Sequence, residues 1–464
     1  MIKHHRFTKI EEAKSYLLNF YGVTAEQRKV NVWERTEYLM SLIDNPQNKL
    51  NIVHVAGTSG KGSVTSMIAE ILSASGLKVG STVSPHILDL RERIKINGQF
   101  ISEEQFIKCV NDMYKVLGLM ERSKFGRPSF FEIMIAIAYK FFYEAKVDYV
   151  VVETGLGGLL DATNTATAKN KIAVITKIGF DHQEVLGKTL KEITAQKAGI
   201  IHQNNTVFCL NNHHSVNKIL KETCLKKNAY IEILKTREVL KSVQKFPHRI
   251  EYTFNGRKLK NINVSLQTSA LYQVENSYLS LTVAEYILIK LNLQPDAQVF
   301  KRAIQKTYIP GRFEIRQENN KSVIFDGAHN PQKMQALIDS LKYLFPNQKF
   351  DFVLAFKSKS DNDFKKMLNI ITPLASTIFA TRFDLNDQGI YIPTRDPQHI
   401  VEYFYSKKEQ GPQILKEKNA LKAYDIAVKD GKENFLVVTG SLYLVSQILK
   451  YKSNFKEKLP SRNV

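Results

Sequence analysis

The sequence contains few cysteines and no motif that would pair them or use them to bind a metal. Its three cysteines, Cys109, Cys209 and Cys224, are far apart and lack the C-x-x-C spacing of zinc and redox sites. Three cysteines cannot all pair within one chain, so a disulfide framework is not indicated. We therefore expect a protein of a reducing compartment and predict a cytoplasmic location.

Long apolar runs are also missing. The first residues, MIKHHRFTKIEEAKSYL, lack the apolar core of a signal peptide. The densest apolar segments, such as residues 133–139, are far shorter than the roughly 20 residues of a membrane-spanning helix. The sequence therefore predicts no membrane association.

Acidic residues are outnumbered, with 45 Asp and Glu against 66 Lys and Arg, which gives a net charge of +21. Such an excess can serve nucleic acid, a membrane surface or polyanionic small molecules. The basic residues are scattered, however, without an arginine-rich tract or a recognisable nucleic-acid module. We interpret the excess as solvated surface that helps to bind anionic substrates, and we predict no nucleic-acid partner.

A glycine-rich turn follows an apolar strand and precedes an apolar-periodic helix, in the stretch NIVHVAGTSGKGS of residues 51–63. Backbone N–H groups, the helix N-terminus and one lysine together suit a phosphate group. Val55 stands where the common nucleotide loop has its first glycine, and the hydroxyl comes two residues after the lysine. A plain strand-to-helix turn with a surface lysine is the alternative. The candidate phosphate-binding residues are Gly57, Thr58, Ser59, Gly60, Lys61, Gly62 and Ser63.

Polar side chains follow the next predicted strands. The strands of residues 77–83, 147–152 and 172–178 lead into Ser84, Glu153 and His182. An acid at the carboxyl end of a parallel strand beside a phosphate loop is typical of a magnesium-directing carboxylate. A lone histidine is more often structural, but its place at a strand end favours a ligand role.

Two further residues remain open from sequence alone. Glu132 lies near the start of an apolar helix predicted for residues 130–143. There it is either stabilised by the helix dipole or in contact with a substrate. Lys197 lies in a helix predicted for residues 189–198, and the pattern indicates an ordinary helix lysine near a C-terminus capped by Gly199. Further predicted elements are helices at residues 9–20, 33–43, 102–117 and 273–291, and a hairpin at Asn97-Gly98.

The chain of 464 residues is long enough for two or three domains. In the stretch YIPGR, which ends at Arg312, a Pro and a Gly are adjacent. This pair predicts a hinge. We predict an N-terminal nucleotide-binding domain of residues 1–308, a hinge of residues 309–313 and a C-terminal domain of residues 314–464. The fold class is α/β: a P-loop domain with a parallel sheet, and a smaller Rossmann-like domain. Its strands are predicted at residues 323–325, 350–356, 377–381 and 435–439, and the tail after Tyr451 is predicted to fray.

The chain resembles the folylpolyglutamate synthase and dihydrofolate synthase family, a branch of the Mur ligase superfamily. The resemblance extends from residue 44 to residue 445 in the family's order. It is carried by DNPQNK, HVAGTSGKGS, SPHILDLRERIKING, FFE, ETGLGGLLDATN, ITKIGFDHQEVLGKTLKEITAQKAGI, PGRFE, DGAHNP and TGSLYLV.

The resemblance implies an ATP-dependent ligase that adds L-glutamate to tetrahydrofolate. The pterin carboxylate attacks the γ-phosphate to form an acyl phosphate, and the amine of glutamate displaces phosphate. ATP and Mg²⁺ are the implied cofactors, with a monovalent cation left open, and we expect a monomer. Three alternatives stand beside it: a bifunctional enzyme that also accepts dihydropteroate, a Mur-type peptide ligase, and a basic nucleic-acid-binding ATPase or binding protein.

The resemblance also implies roles for single residues. Residues 57–63 bind the ATP phosphates, with Lys61 as a catalytic cation. Arg312 reaches the γ-phosphate from the other domain, which implies closure before chemistry. The other implied roles are magnesium binding by Ser84, Glu153 and His182, a carbamylated Lys197 that supports a second metal, adenine contact by Asn276, nucleotide contact by Asp326, catalysis near the phosphoryl group by His329, and substrate binding by Ser129, Phe130, Phe131, Glu132 and Leu160.

The sequence departs from the family pattern at four places. Leu159 stands in place of an arginine, Gln196 in place of an acid and Tyr272 in place of a histidine, and residues 361–363 read DND where DKD is usual. None of these changes removes a predicted metal or phosphate ligand. Leu159 adjoins predicted substrate residues, so the identity of the pterin acceptor stays open.

Overall fold

The computed structural model describes residues 6–22, 31–246, 249–358, 360–384, 393–407 and 411–452. The predicted frayed tail lies outside the described residues beyond Lys452. The helices are α1 (Ile10–Leu18), α2 (Val32–Ser41), α3 (Lys61–Ala74), α4 (Glu103–Arg122), α5 (Phe130–Glu144), α6 (Gln183–Leu186), α7 (Leu190–Ala198), α8 (His214–Lys226), α9 (Arg237–Lys241), α10 (Tyr272–Lys290), α11 (Ala297–Lys306), α12 (Pro331–Leu344), α13 (Asp361–Ile371), α14 (Gln398–Tyr405), α15 (Ala420–Asp430) and α16 (Leu442–Lys452).

The strands alternate with these helices along most of the chain. They are β1 (Ile52–Ala56), β2 (Val79–Thr82), β3 (Lys95–Ile96), β4 (Gln99–Phe100), β5 (Tyr149–Glu153), β6 (Ile172–Ile175), β7 (Thr206–Leu210), β8 (Tyr230–Leu234), β9 (Gln244–Phe246), β10 (Arg249–Phe254), β11 (Ile262–Leu266), β12 (Arg312–Glu318), β13 (Lys321–Asp326), β14 (Phe350–Leu354), β15 (Ala375–Arg382), β16 (Gln413–Asn419) and β17 (Phe435–Thr439).

The chain divides into two compact units. The first comprises residues 1–243, 251–265 and 273–307, and the second comprises residues 244–250, 266–272 and 308–464. Two short segments of the second unit, 244–250 and 266–272, therefore lie inside the predicted first domain. Their contacts with α12 explain this, because Lys245 Nζ donates to the carbonyl of Tyr343 at 2.9 Å and the amide of Leu271 donates to Ser340 Oγ at 3.2 Å.

The first unit is built on an eight-stranded sheet with the strand order β4-β3-β2-β5-β1-β6-β7-β8. Strands β2, β5, β1, β6, β7 and β8 are parallel, and β3 and β4 form an antiparallel hairpin at one edge. The predicted hairpin turn is confirmed, since Asn97 and Gly98 both have positive φ angles, 49° and 75°. All parallel strands end at the same edge, which brings the loops after β1, β2, β5 and β6 together.

Helices cover both faces of this sheet. One apolar core joins α4 and α5 to β1 and β5, and it includes Phe106, Met113 and Phe142. The other joins α7 and α8 to β6 and β7, and it includes Ile193 and Leu220. Burial on both faces explains why the central strands are almost continuously apolar.

The second unit is built on a six-stranded sheet with the order β12-β13-β17-β14-β15-β16. Strands β13 to β17 are parallel, and β12 pairs antiparallel with β13 at the edge. The predicted α/β class with a smaller C-terminal domain is thus confirmed. The edge strands β12 and β16 were not predicted, because RFEIRQE and QILKEKN are rich in charged residues, as exposed edges commonly are. The predicted hinge residue Arg312 is the first residue of β12.

Helix starts follow local capping rules. Ser102, Ser129 and Thr189 each accept a hydrogen bond from the backbone N–H three residues later, and each is paired with a Gln or Glu at that position. The predicted N-cap at Ser102 is confirmed. Within the described residues, every helix is too short or too polar to cross a lipid bilayer.

Candidate functional site

The predicted phosphate loop connects β1 to α3 and depends on two glycines. Gly57 has a φ of 152°, and a Cβ there would lie 1.8 Å from Thr176 Oγ1. Gly60 has a φ of 89°, and a Cβ there would lie 2.3 Å from Asn276 Oδ1. Gly60 is the N-cap in a left-handed conformation, and α3 begins directly after it at Lys61. The loop therefore places backbone N–H groups and a helix N-terminus where an anion can bind them.

The loop is tied to the segment after β6. The amide of Thr58 donates to the carbonyl of Lys177 at 2.8 Å. Its hydroxyl donates to the carbonyl of Gly179 at 3.0 Å and accepts from the amide of Gly179 at 3.1 Å. These bonds hold the loop in place before any ligand arrives, which lowers the entropic cost of binding.

Lys197 is buried beside this loop, with 3% of its surface exposed. Its Nζ donates to the carbonyl of Gly57 at 2.8 Å. The interpretation of Lys197 as an ordinary helix lysine is therefore wrong. The error arises because the docking of α7 against the phosphate loop is a contact over 140 residues that no local pattern reveals.

Ser84 and Glu153 meet at the ends of β2 and β5. Glu153 is 6% exposed, and its Oε2 accepts a hydrogen bond from the amide of Ser84 at 3.0 Å. A Cβ on Gly62 would lie 3.2 Å from the same oxygen, so the carboxylate adjoins the first turn of α3. A carboxylate and a hydroxyl beside a phosphate loop are oxygen donors of the kind that Mg²⁺ accepts together with phosphate oxygens and water.

His182 is the N-cap residue before α6 and has a left-handed conformation with a φ of 50°. Its ring nitrogens lie 3.5 Å from a carboxylate oxygen of Glu184 and 3.8 Å from one of Asp181. Within the described part of the chain, no three His, Cys, Asp or Glu side chains form a group that could hold a metal ion. Phosphate oxygens and water are the further ligands with which Mg²⁺ commonly completes its coordination beside one or two protein carboxylates.

Two buried amides on α10 support the phosphate loop. Asn276 Nδ2 donates to Gln273 Oε1 at 2.9 Å, and Gln273 Nε2 donates to Ser63 Oγ at 3.2 Å. Asn276 also packs against Gly60. Gln273 had no predicted role, although its spacing of three residues from Asn276 places both amides on one helix face.

Glu132 is part of a buried ion pair. Arg35 and Glu132 both have side chains that are 0% exposed, and Arg35 Nη2 donates to Glu132 Oε2 at 2.9 Å. The same carboxylate accepts from Thr36 Oγ1 at 3.0 Å and from the amide of Ser129 at 2.8 Å. Of the two alternatives for Glu132, the structure supports a structural role at the start of α5, since its oxygens are buried and already hydrogen-bonded.

The other predicted substrate residues flank Glu153. A Cβ on Gly155 would lie 2.5 Å from the ring of Phe131, so this ring packs on the backbone just after β5. Phe130 is buried and stacks on Tyr21 with ring centroids 4.1 Å apart. Leu159 and Leu160 are 46% and 47% exposed, which leaves two apolar side chains on the loop after β5.

A chain of buried hydrogen bonds anchors this same loop to β1. Asp161 Oδ1 accepts from the hydroxyl of Thr163 at 2.5 Å, and His54 Nε2 lies 2.8 Å from that hydroxyl. Burial raises the pKa of Asp161, although hydrogen bonds from Thr163 and from backbone amides oppose the rise. Burial, followed by the charges of Lys171 and His202, lowers the pKa of His54 well below its usual range. His54 is therefore neutral in the folded protein.

In the second unit, Asp326 ends β13 and is fully engaged. Its carboxylate accepts from the hydroxyl of Tyr272 at 2.6 Å and from the amides of Phe313 and Ala328 at 3.0 and 2.9 Å. Burial raises the pKa of Asp326, and it also raises the pKa of Tyr272, with the Asp326 charge as the next cause. Tyr272, a departure from the family pattern, thus keeps a hydrogen-bonding role.

Arg312 and His329 lie around the same turn. A Cβ on Gly327 would lie 2.6 Å from Arg312 Nη1. His329 Nδ1 is 2.7 Å from the carbonyl of Gly327, and its Nε2 is 3.0 Å from Lys333 Nζ. The structure therefore brings Arg312, Asp326 and His329 together, and it adds Lys333, which the sequence pattern did not identify.

Comparisons with known proteins agree with this arrangement. The family model for the Mur ligase middle domain matches residues 55–284, and the model for the dihydrofolate synthetase C-terminal domain matches residues 311–451. A Bacillus subtilis protein named dihydrofolate synthase/folylpolyglutamate synthase is 30% identical over 417 residues, covering 90% of this chain and 94% of that protein. The dihydrofolate synthetase of Saccharomyces cerevisiae is 27% identical over 434 residues, and the match covers 90% of this chain and 96% of that protein.

Solved structures show the same similarity. The folylpolyglutamate synthase of Mycobacterium tuberculosis, complexed with ADP and AMPPCP, has a TM-score of 0.80 at 25% identity, covering 95% of this chain and 99% of that one. The folylpolyglutamate synthase of Thermotoga maritima has a TM-score of 0.75 at 26% identity, covering 97% and 98%. The chain therefore belongs to the folylpolyglutamate synthase and dihydrofolate synthase family of ATP-dependent ligases within the Mur ligase superfamily.

Proposed function

We propose that this chain uses ATP to join L-glutamate to tetrahydrofolate and that dihydropteroate is a second acceptor. The observation that carries the ATP-dependent step is the preformed phosphate loop of residues 57–63, with Glu153 and Lys197 beside it. The second acceptor is favoured by the match of residues 311–451 to the dihydrofolate synthetase model and by the two activities in the name of the Bacillus subtilis relative.

The reaction proceeds in two steps. A carboxylate oxygen of the acceptor attacks the γ-phosphorus of ATP, which releases ADP and leaves an acyl phosphate. The amine of L-glutamate then attacks the acyl carbon, the new C–N bond forms, and inorganic phosphate leaves with that carboxylate oxygen. Activation is needed because a carboxylate has no good leaving group at neutral pH, and positioning with charge neutralisation provides most of the catalysis.

The proposed phosphate-binding residues lie in the first unit. The backbone of Gly57, Thr58, Ser59, Gly60, Gly62 and Ser63 binds the β- and γ-phosphates, and Lys61 neutralises their charge. Asn276 contacts the nucleotide, while Gln273 positions Ser63 and Asn276 through the hydrogen bonds described above.

Magnesium is the divalent cation that this chemistry requires, and Ser84, Glu153 and His182 would hold it. When bound, it would neutralise charge on the phosphate oxygens and on the transferred group. Lys197 as a carbamate would support a second cation. The amine of Lys197 already reaches the carbonyl of Gly57, so the added carboxylate would lie at the phosphate loop. A requirement for a monovalent cation is part of the same proposal.

The remaining assigned residues complete the ligase. Arg312 and Asp326 contribute to nucleotide binding, and His329 contributes to catalysis near the transferred phosphoryl group. Ser129, Phe130, Phe131 and Leu160 form the side of the acceptor site, and Glu132 supports them from within the protein. We also propose that the protein is a cytoplasmic monomer that acts on small molecules without nucleic acid. A monomer in size-exclusion chromatography would support the oligomeric state, and ATP hydrolysis that RNA does not stimulate would support the absence of a nucleic-acid partner.

Glutamate-dependent ADP release tests the proposal. The purified chain is assayed with ATP, Mg²⁺ and L-glutamate, with tetrahydrofolate or dihydropteroate as the acceptor. Release with both acceptors supports the bifunctional enzyme, and release with tetrahydrofolate alone removes dihydropteroate from the proposal. A protein that binds ATP but releases no ADP with either acceptor contradicts it.

A further inference from the structure

The loop before α12 contains a contact between a histidine and a lysine. His329 Nε2 lies 3.0 Å from Lys333 Nζ, and His329 Nδ1 lies 2.7 Å from the carbonyl oxygen of Gly327. Both side chains are half-buried. The imidazole is therefore held at both of its nitrogens.

The chemistry of the two partners assigns the protons. A carbonyl oxygen can only accept a hydrogen bond, so His329 Nδ1 carries a proton. A lysine ammonium can only donate, so His329 Nε2 must accept and carries none. If the ring were doubly protonated, the Nε2–H group and the Lys333 ammonium would be two positively charged donors facing each other at 3.0 Å. Transfer of the lysine proton to the ring is opposed because a lysine amine is a much stronger base than imidazole.

We propose that Lys333 is a positioning residue that holds His329 as a neutral imidazole with its proton on Nδ1. The lysine is itself well placed for this. Its backbone amide donates to Asn330 Oδ1 at 2.9 Å, Asn330 is buried, and Pro331 fixes the first helical position. The ammonium thus extends from a rigid first turn of α12 toward the ring.

The consequence concerns where positive charge lies around this turn. Asp326 ends the preceding strand, and its carboxylate is already bonded to Tyr272 and to two backbone amides. Arg312 lies against Gly327. Arg312 and Lys333 therefore both bring positive charge to this turn, and the imidazole contributes a neutral hydrogen-bonding group.

This inference rests on the proposed function only for its effect on catalysis. If the loop binds an anionic oxygen group, Lys333 and not His329 provides the charge that the group meets. That group is either a carboxylate of L-glutamate or a phosphate oxygen of ATP. Separate KM values for L-glutamate and ATP distinguish the two sources.

The proton assignment is tested without turnover. The full chain is labelled with nitrogen-15 at histidine, and multiple-bond proton–nitrogen spectra are recorded at neutral pH for the wild type, Lys333→Met and Lys333→Arg. His329→Gln identifies the His329 signals, and Lys342→Met, in the last turn of the same helix, is the matched control. We expect a protonated Nδ1 and a bare Nε2 in the wild type and in the arginine and control variants. In Lys333→Met, the pattern should change to a mixture of tautomers or a protonated ring.

The kinetic effect is measured in parallel. Lys333→Met should lower kcat/KM for L-glutamate or for ATP about tenfold, as expected for the loss of a charge-assisted hydrogen bond, and Lys333→Arg should restore most of it. A wild-type ring that is protonated at Nε2, or a His329 signal unchanged in Lys333→Met, overturns the positioning role. If Lys333→Met changes kcat/KM for both L-glutamate and ATP by less than about twofold, the catalytic consequence of the Lys333 contact is overturned. If the wild type shows the expected tautomer but has no ligase activity, the proposed function is contradicted and the proton assignment is not.

Discussion

Replacement of Glu132 by Gln should destabilise the first unit strongly. The substitution keeps the volume of the side chain but leaves the Arg35 guanidinium as a charge without its carboxylate partner, at a position that is 0% exposed. Loss of one partner of such a buried pair costs about 3–5 kcal/mol. Three of the four bonds to the carboxylate come from Arg35 and Thr36, so relaxation of the α5 cap alone cannot recover this loss.

The double variant Arg35→Met/Glu132→Met is the informative comparison. An apolar pair of similar volume is often as stable as a buried ion pair. We therefore expect this variant to unfold within about 2 kcal/mol of the wild type, while Glu132→Gln unfolds far earlier. Urea unfolding followed by circular dichroism gives both free energies of unfolding.

Acceptor kinetics then separate the structural role from substrate binding. If Glu132 acts only within the protein, the double variant should keep its KM for tetrahydrofolate within about threefold, because that factor is below the loss expected for one hydrogen bond to a charged group. A Glu132→Gln protein as stable as the wild type would refute the ion-pair reasoning. A stable double variant that has lost acceptor binding would show that Glu132 contacts the substrate.

Three further substitutions and one pH dependence test other parts of the first unit. Glu153→Gln should abolish ligation and leave the unfolding transition unchanged, because it removes a charge and little volume. Lys197→Ala should be poorly active and partly restored by small carboxylates if a carbamate is required, and full activity without any addition would contradict that role. Gly60→Ala should weaken ATP binding more than tenfold in a nucleotide titration, because the new Cβ would lie 2.3 Å from Asn276 Oδ1 and the left-handed backbone adds about 1–2 kcal/mol. Because His54 is buried neutral, its unfolded form binds a proton that the folded form does not, so the contribution of His54 to the free energy of unfolding should fall by about 1.4 kcal/mol per pH unit below about pH 6.5.

The chain offers a matched control for two of these tests. Gly76 has a φ of 93°, and a Cβ added there would meet no atom within 4 Å among the described residues. Gly76→Ala therefore carries the same backbone strain without a collision and should bind ATP normally. His214 is exposed, so His214→Gln serves as the histidine control. His54→Asn should remove the one-proton contribution of His54 to the acid dependence. Equal effects of the two glycine changes, or of the two histidine changes, would contradict the local explanations.

Local patterns were sufficient for the elements that are continuous in sequence. The phosphate loop is visible because glycines, a preceding apolar strand and a following helix occupy neighbouring positions. The Asn97-Gly98 hairpin and the Ser102 cap follow equally local rules. Edge strands β12 and β16 were missed because charged residues on a sheet edge resemble a loop.

Contacts between distant residues could not be predicted in this way. Lys197 contacts Gly57 across 140 positions, and Arg35 contacts Glu132 across 97. No periodicity encodes such pairs, and only the packing of α7 and α2 against their neighbours creates them. The family resemblance named Lys197 as a site residue, but it did not indicate that its amine reaches the loop carbonyl.

Transfer of oxygen from the acceptor to phosphate tests the central claim most directly. Tetrahydrofolate whose reacting carboxylate is enriched in heavy oxygen is incubated with the enzyme, ATP, Mg²⁺ and L-glutamate, and the inorganic phosphate is analysed by mass spectrometry. An acyl phosphate route places one heavy oxygen in each phosphate released, together with one new glutamyl residue on the acceptor. Phosphate without heavy oxygen, formed alongside the glutamylated product, would contradict the account.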